Sequence, residues 1–207
     1  MQTKTYTGNL HQIITVIMFN ADYKIIVIGG SAGSFSVLSN ILAEIRPDFK
    51  IPIVLCLHRL KHVRSGLVEG LSLKSAIKIV EPNDKDKLEP NTVYLAPANY
   101  HLFIELDGSF ALSTEEPRNH SRPSIDHTFF SAAYAYRDKA MGILLTGANR
   151  DGAMGIKAIA DKKGYTIVQD PATADIDTMP KAALELFKPD EVVSPEQIVQ
   201  ILNSLPS

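Results

Sequence analysis

Three polar side chains follow three predicted β-strands, each at the point where the strand ends. Ser31 follows the first strand, His58 ends the second, and Asp151 follows a strand at 141–145. Parallel α/β sheets form their sites in the crevice at the carboxyl ends of the strands, so we expect the three residues to lie close together. Imidazole can remove a serine proton while a carboxylate orients the ring and stabilises the imidazolium. The pattern therefore predicts a Ser31–His58–Asp151 catalytic triad.

Ser31 lies in a glycine-rich turn, GGSAG at residues 29–33, between a predicted strand and a predicted helix. A G-x-S-x-G turn exposes the serine hydroxyl at the edge of the sheet, and the helix N-terminus offers N–H groups to an oxyanion. The pentapeptide leaves two other interpretations open: a loop that binds phosphate or a nucleotide, and a purely structural turn. A dinucleotide site is disfavoured because no acidic residue ends the second strand.

His58 and Asp151 each have a structural alternative. A lone histidine is most often structural, and His58 differs from the other five by its strand-end position. Asp151 could cap the helix that follows it, and Asp126 and Asp170 are rivals for the role of the acid. Cys56 shares a strand face with His58 and is interpreted as a core residue rather than a nucleophile. The chain order Ser, His, Asp also differs from the Ser, Asp, His order of α/β-hydrolases.

Alternating strand and helix patterns position these residues. Apolar runs predict buried parallel strands at 24–28, 51–57, 76–80, 141–145 and 165–168. Three- and four-residue apolar spacing predicts helices at 35–45, 65–73, 124–137, 153–162, 181–186 and 195–205. Short strands at 93–95, 101–106 and 110–113, with an Asp107-Gly108 turn, predict an antiparallel patch that interrupts the parallel sheet. The predicted class is α/β: a mostly parallel, doubly wound, three-layer sheet with an embedded antiparallel hairpin.

Composition narrows the classes of function. The 207 residues carry 21 Lys+Arg and 23 Asp+Glu, and a net charge of −2 argues against a non-specific nucleic-acid binder. One cysteine excludes a disulfide framework and favours a reducing cytoplasm. No apolar run approaches the roughly 18 residues of a membrane span, and no cluster has metal-ligand spacing, so we predict no metal and no cofactor. We expect an N-terminal extension over 1–22 and one catalytic domain over 23–207.

Six short segments, taken in order, carry a family resemblance. They read GGSAGS (29–34), LHRL (57–60), YLAPANYH (94–101), RPSID (122–126), LTGANRDG (145–152) and MP (179–180). They resemble G-A-S-T-G-G, Q-H-M-P, Y-[IL]-A-P-x-x-x-H, R-P-S-[IV]-D, L-T-G-M-G-x-D-G and M-P of the chemotaxis protein-glutamate methylesterases, the CheB family. The resemblance covers the chain from about Lys24 to the C-terminus.

The resemblance implies a function and roles for five residues. Ser31 is the implied nucleophile, His58 the general base and acid, and Asp151 the orienting acid, with backbone N–H groups near Ala32 and Ala148 as oxyanion donors. The implied reaction is cofactor-free hydrolysis of glutamyl γ-methyl esters on the cytoplasmic helices of bacterial methyl-accepting chemoreceptors, with glutamine deamidation by the same chemistry. A non-enzymatic phosphate- or nucleotide-binding module and a serine esterase for another protein substrate stay open as alternatives.

Several positions depart from the family motifs. The threonine after the nucleophile is Ala32, the methionine after the histidine is Arg59, and the Met-Gly pair before the acid is Ala148-Asn149. These changes bear on rate and substrate more than on reaction class. Family members typically carry a receiver domain, and about 23 residues before the first strand are too few for one. We therefore expect constitutive activity, control by a partner such as a separate receiver protein or a cognate methyltransferase, or another methylated substrate.

Overall fold

The computed structural model of the protein describes residues 22–58, 66–119 and 121–206. Residues 1–21 of the expected N-terminal extension lie outside these ranges, and so does Arg59. The described residues form one seven-stranded parallel sheet, with helices on both faces, and one separate two-stranded antiparallel sheet. The predicted α/β class with an antiparallel hairpin is confirmed.

The elements follow one another along the chain in a mostly alternating order. The strands of the large sheet are β1 (Ile25–Gly30), β2 (Ile53–Leu57), β3 (Lys78–Val80), β4 (Thr92–Leu95), β7 (Ala140–Leu144), β8 (Tyr165–Gln169) and β9 (Glu191–Val193), and those of the hairpin are β5 (His101–Ile104) and β6 (Phe110–Ser113). The helices are α1 (Ser34–Glu44), α2 (Leu67–Ser72), α3 (Ile125–Tyr136), α4 (Ala153–Asp161), α5 (Thr178–Leu184) and α6 (Pro195–Ser204). The spatial order of the large sheet is β3-β4-β2-β1-β7-β8-β9.

Strand β1 is buried on both faces because its side chains alternate between two cores. Ile26 and Ile28 pack in the core that includes α1, α2 and α6. Ile25 and Val27 pack in the core that includes α3, α4, α5 and the hairpin. A continuous β-branched run is what a central parallel strand requires, because neither face meets water. The sheet is therefore the middle of three layers.

Two strand predictions were wrong in part. The sequence places the run at 93–95 in the antiparallel patch, but β4 pairs in parallel with both β2 and β3 inside the large sheet. Among the strands of the described ranges, only β5 and β6 pair in antiparallel fashion, and they lie outside that sheet. A four-residue buried run has no periodicity that separates the two arrangements. Strand β9 was not predicted because it has three residues, of which one is buried.

The position of β1 between β2 and β7 brings three loops side by side. Gly30 pairs with Leu57 and Gly29 with Leu144, so the three strands end at nearly the same level. Helix α1, which follows β1, packs on one face of the sheet, whereas α4, which follows β7, packs on the other. A crevice forms at the strand ends where the helices that follow two neighbouring strands pack on opposite faces of the sheet. The three predicted site residues follow these three strands.

Gly29 approaches helix α3 so closely that no side chain fits. A Cβ at this position would lie 2.3 Å from Ile125 Cγ2 and 3.0 Å from Phe129 Cζ. We expect Gly29→Ala to lower the free energy of unfolding by about 1–3 kcal/mol, because an overpacked core must displace the helix. Urea denaturation measures this as a lower midpoint at an unchanged slope.

Gly70→Ala, within α2, is the matched control. A Cβ there meets Phe35 Cζ at 3.3 Å, and the Phe35 ring can move because it is 44% exposed. Alanine is the better helix former by about 1 kcal/mol, so the control should be as stable as wild type or more stable. Equal stability of Gly29→Ala and Gly70→Ala would contradict the close packing of β1 on α3.

Candidate active site

Ser31 is the first residue after β1, and it is half-buried. Its backbone N–H donates to the carbonyl of Thr146 (3.0 Å), and its own carbonyl accepts from the N–H (3.0 Å) and hydroxyl (2.6 Å) of Ser34. Gly33 has a φ of +83°, and a Cβ there would lie 2.8 Å from Asp175 Cβ, so the turn needs glycine. Ser31 is thereby held between the start of α1 and the loop after β7.

Thr146 joins the Ser31 turn to the segment before α5. Its buried hydroxyl accepts from the N–H of Ile176 (2.9 Å) and lies within reach of the carbonyls of Ile176 (2.9 Å) and Ala32 (3.2 Å). Its backbone N–H donates to Gln169 Oε1 at 2.9 Å. A single side chain thus fixes three loops at the carboxyl edge of the sheet.

His58 and Asp151 lie 93 positions apart in the chain and form a hydrogen-bonded pair. His58 Nε2 lies 2.7 Å from Asp151 Oδ2, and their side chains are 12% and 0% exposed. An ionised carboxylate only accepts hydrogen bonds, so Nε2 carries the proton of a neutral ring and Nδ1 is the basic nitrogen. Asn149 Nδ2 and Ser121 Oγ each lie 3.3 Å from Nδ1. Within the described residues, the Ser31 hydroxyl makes no hydrogen bond to either ring nitrogen.

The N-terminus of α3 surrounds the carboxylate of Asp151. Four donors other than His58 bond to its two oxygens: the N–H groups of Ile125 (2.7 Å) and Asp126 (3.2 Å), the hydroxyl of Ser124 (3.0 Å) and the amide of Asn119 (3.2 Å). Burial alone raises the pKa of Asp151, but the bonds from His58 and from the α3 backbone outweigh it. The net result is a pKa below the ordinary value for aspartate. The carboxylate is therefore ionised at neutral pH.

Asp126 makes the corresponding interaction with helix α4. Its Oδ1 accepts from the N–H groups of Gly152 (3.0 Å) and Gly155 (2.8 Å). Burial, followed by the nearby charge of Asp151, raises the pKa of Asp126 above its ordinary value. Asp151 thus caps α3, the helix that contains Asp126, and Asp126 caps α4, the helix that directly follows Asp151. We call this pair of interactions, Asp151 on α3 and Asp126 on α4, the reciprocal cap.

The structure distinguishes between the sequence alternatives. Asp151 does not cap its own helix, because the N–H of Gly152 donates to Asp126 instead. Asp170 accepts from the N–H two residues on, at a short 3-10 turn, and makes no hydrogen bond to His58. Cys56 is completely buried, and burial raises the pKa of its thiol, which agrees with a core residue.

Sequence reasoning missed the residues that hold this pair in place. His101 is buried, accepts the N–H of Ser124 at Nδ1 (3.2 Å) and donates from Nε2 to the carbonyl of Glu116 (3.1 Å). The hydroxyl of Ser124 in turn donates to Asp151 (3.0 Å). The sequence signal for these contacts is the RPSID segment at 122–126, whose serine begins the predicted helix at 124–137.

Neither a metal cluster nor a membrane span is found in the part of the chain that the structure describes. No three His, Cys, Asp or Glu side chains there are grouped as they would be around a metal ion. No helix in the same ranges has both the length and the apolar character needed to cross a membrane. The sequence-based expectation of a cofactor-free site stays a prediction.

The fold and the match to known sequences define an ester hydrolase of the α/β class. Residues 26–202 match the family model described as CheB methylesterase. The chain therefore belongs to the CheB methylesterase family.

Individual relatives agree with this assignment. A Leptospira interrogans protein named as a candidate protein-glutamate methylesterase/protein-glutamine glutaminase is 43% identical over 87% of this chain and 93% of its own length. Protein-glutamate methylesterase/protein-glutamine glutaminase 1 of Carboxydothermus hydrogenoformans is 36% identical over 88% of this chain and 55% of its own. The crystal structure of the Thermotoga maritima CheB methylesterase catalytic domain has a TM-score of 0.83 at 30% identity, covering 87% of this chain and 97% of that one.

The two aspartates of the reciprocal cap should respond differently to asparagine. Every partner of the Asp151 carboxylate among the described residues is a donor, and each oxygen accepts from a backbone N–H, that of Asp126 or of Ile125. The NH₂ group of Asp151→Asn must therefore face an N–H that cannot accept, and we expect a loss of about 2–3 kcal/mol in the free energy of unfolding. Asp126→Asn keeps a carbonyl oxygen for Gly152 and Gly155 and removes a disfavoured charge, and among the described residues its NH₂ group faces only the long contacts of Oδ2, to Asn119 Nδ2 (3.4 Å) and Arg118 Nε (3.9 Å). We expect its stability at neutral pH to stay within about 1 kcal/mol of wild type, on the stable side. Urea denaturation of both variants measures the difference.

The same two aspartates should have opposite pH dependences. The pKa of Asp151 is lowered in the fold, so its contribution is present above the unfolded pKa of about 3.9 and is lost as pH falls through the folded pKa. The pKa of Asp126 is raised, so its charge opposes folding near neutral pH and ceases to do so as pH falls through that raised pKa. The advantage of Asp126→Asn over wild type should therefore shrink on acidification. An advantage that grows on acidification would contradict the raised pKa.

Proposed function

We propose that the chain hydrolyses glutamyl γ-methyl esters on methyl-accepting chemotaxis receptors, with Ser31 as nucleophile, His58 as general base and acid, and Asp151 as orienting acid. The observation that carries the proposal is the 2.7 Å contact between His58 Nε2 and Asp151 Oδ2 at the sheet edge where Ser31 lies. Membership of the CheB methylesterase family and the names of the relatives support it. The proposed catalytic domain spans residues 23–207.

The reaction has two half-reactions that share one base. The Ser31 hydroxyl attacks the ester carbonyl carbon while its proton passes to His58 Nδ1, and Asp151 stabilises the resulting imidazolium through Nε2–H. The tetrahedral intermediate then expels methoxide, which takes the proton from Nδ1 and leaves as methanol. Water, deprotonated by Nδ1, attacks the acyl-enzyme. Expulsion and reprotonation of Ser31 release the glutamate carboxylate.

Backbone N–H groups of Ala32 and Ala148 are the proposed oxyanion donors. Both residues are exposed, and neither N–H donates to an acceptor among the described residues. Ala32 directly follows the proposed nucleophile, and Ala148 lies two residues after Thr146, whose carbonyl accepts the Ser31 N–H. Unused donors on both sides of Ser31 suit an oxygen that gains charge only in the tetrahedral intermediate.

The same steps accommodate a glutamine side chain. The leaving group is then ammonia, which needs a proton from His58 Nδ1 as it departs, and the acyl-enzyme is identical. The names of the Leptospira and Carboxydothermus relatives include a protein-glutamine glutaminase. The proposed partners are therefore the cytoplasmic helices of chemoreceptors that carry glutamine or methylated glutamate.

Ser31→Ala should abolish methanol release from methylated chemoreceptor membranes. Removing a triad nucleophile lowers the rate by at least about a thousandfold, because only binding and oxyanion stabilisation remain. Ser36→Ala is the matched control, since Ser36 lies exposed on α1 and, among the described residues, its hydroxyl bonds only to the Gly33 carbonyl at 3.2 Å. The control should keep the wild-type rate.

A fluorophosphonate probe of reactive serines separates failure of the chemistry from failure of the substrate. Labelling of wild type but not of Ser31→Ala, without methanol release, would indicate a serine esterase for a different protein substrate. Methanol release by Ser31→Ala at the wild-type rate, or labelling at another serine, would overturn the proposed nucleophile.

A further inference from the structure

Asn149 contacts both members of the hydrogen-bonded pair. Its Oδ1 accepts the backbone N–H of Asp151 at 3.0 Å, and its Nδ2 lies 3.3 Å from His58 Nδ1. The orientation of the amide is settled by chemistry: a backbone N–H only donates, so the atom that faces it must be the oxygen. The NH₂ group is therefore the end that faces the imidazole. An amide NH₂ can only donate, so the hydrogen bond requires Nδ1 to be unprotonated.

The neighbouring carboxylate of Asp151 favours the opposite protonation state of Nδ1. Asp151 binds Nε2–H in the neutral ring, but a buried carboxylate at 2.7 Å also stabilises the doubly protonated imidazolium. A ring that already carries a proton on Nδ1 cannot accept one from Ser31. The hydroxyl of Ser121, the other described group that lies 3.3 Å from Nδ1, can either donate or accept, so it does not select a protonation state.

We propose that Asn149 is a positioning residue that keeps Nδ1 of His58 free of a proton in the resting enzyme while fixing the backbone of Asp151. For its effect on rate, this inference rests on the proposed function. The single amide of Asn149 presents its oxygen to the backbone N–H of Asp151 and its NH₂ group to Nδ1 of His58. The Ser31 hydroxyl then replaces the amide at Nδ1 when substrate is attacked.

Asn149→Asp is the sharpest test because it preserves shape and reverses the hydrogen bond. The new carboxylate still accepts the N–H of Asp151, but it offers an acceptor and a negative charge to Nδ1, so the ring should be protonated on both nitrogens. We expect Asn149→Asp to lower kcat at neutral pH by at least about tenfold, and Asn149→Ala by about two- to fivefold. A residue that merely fills space would give the opposite order, with the isosteric variant the more active.

The protonation state can be read without substrate. In ¹⁵N-labelled protein, the long-range ring spectrum of His58, assigned with His58→Gln, should show Nδ1 unprotonated and Nε2 protonated in wild type at neutral pH. In Asn149→Asp both nitrogens should be protonated. The proposal is overturned if Nδ1 stays unprotonated in Asn149→Asp, or if this variant is as active as Asn149→Ala. Absence of methanol release and of serine labelling in wild type would count against the proposed function alone, since the ring spectrum still decides the role of Asn149.

Discussion

The reciprocal cap between α3 and α4 is the interaction on which the rest of the site depends. A helix N-terminus leaves backbone N–H groups without intrahelical partners, and a buried carboxylate is costly unless such donors reach it. Asp151 and Asp126 satisfy both requirements at once, each at the start of the other's helix. A Cβ on Gly155 would lie 3.0 Å from Asp126 Cα, so the two helices meet backbone to backbone at this point. The packing of α3 against α4 therefore fixes the position of the Asp151 carboxylate.

The reciprocal cap also separates two similar side chains chemically. Asp151 receives five donors, among them His58, whereas Asp126 receives fewer and lies beside the charge of Asp151. Burial raises the pKa of both carboxyls, but the bonds from His58 and the α3 backbone outweigh it and lower the pKa of Asp151, whereas the charge of Asp151 adds to burial and the pKa of Asp126 is raised. Among the described residues, backbone N–H groups, a hydroxyl and an amide, rather than a directly bonded lysine or arginine, stabilise the charge of Asp151. Among these described donors, no lysine or arginine competes with the His58 imidazole for the Asp151 carboxylate.

The parts of the site that could be predicted are those encoded by local pattern. Ser31, His58 and Asp151 follow continuous apolar runs, and a parallel sheet brings the ends of such runs to one edge. The partners of Asp151 come from a different region, around Ser124, and no periodicity states which donor will face which acceptor. Asn149 stands out in the sequence only as a departure from the family motif, since the role proposed for it depends on the direction of two hydrogen bonds. The antiparallel hairpin is predicted by its Asp107-Gly108 turn, whereas β4 is misplaced and β9 is missed because the pairing of such short strands depends on tertiary contacts.

The central place of β1 has a consequence for how the protein is made. Its neighbour β2 is synthesised soon afterwards, but its other neighbour, β7, begins at Ala140, more than a hundred residues later in the chain. During that interval on the ribosome one edge of a fully apolar strand has no partner, and such edges favour association with other chains. Pairing across so long a separation is also entropically slow. The nascent chain therefore carries this unpaired strand edge, which can associate with other chains, until β7 has been synthesised.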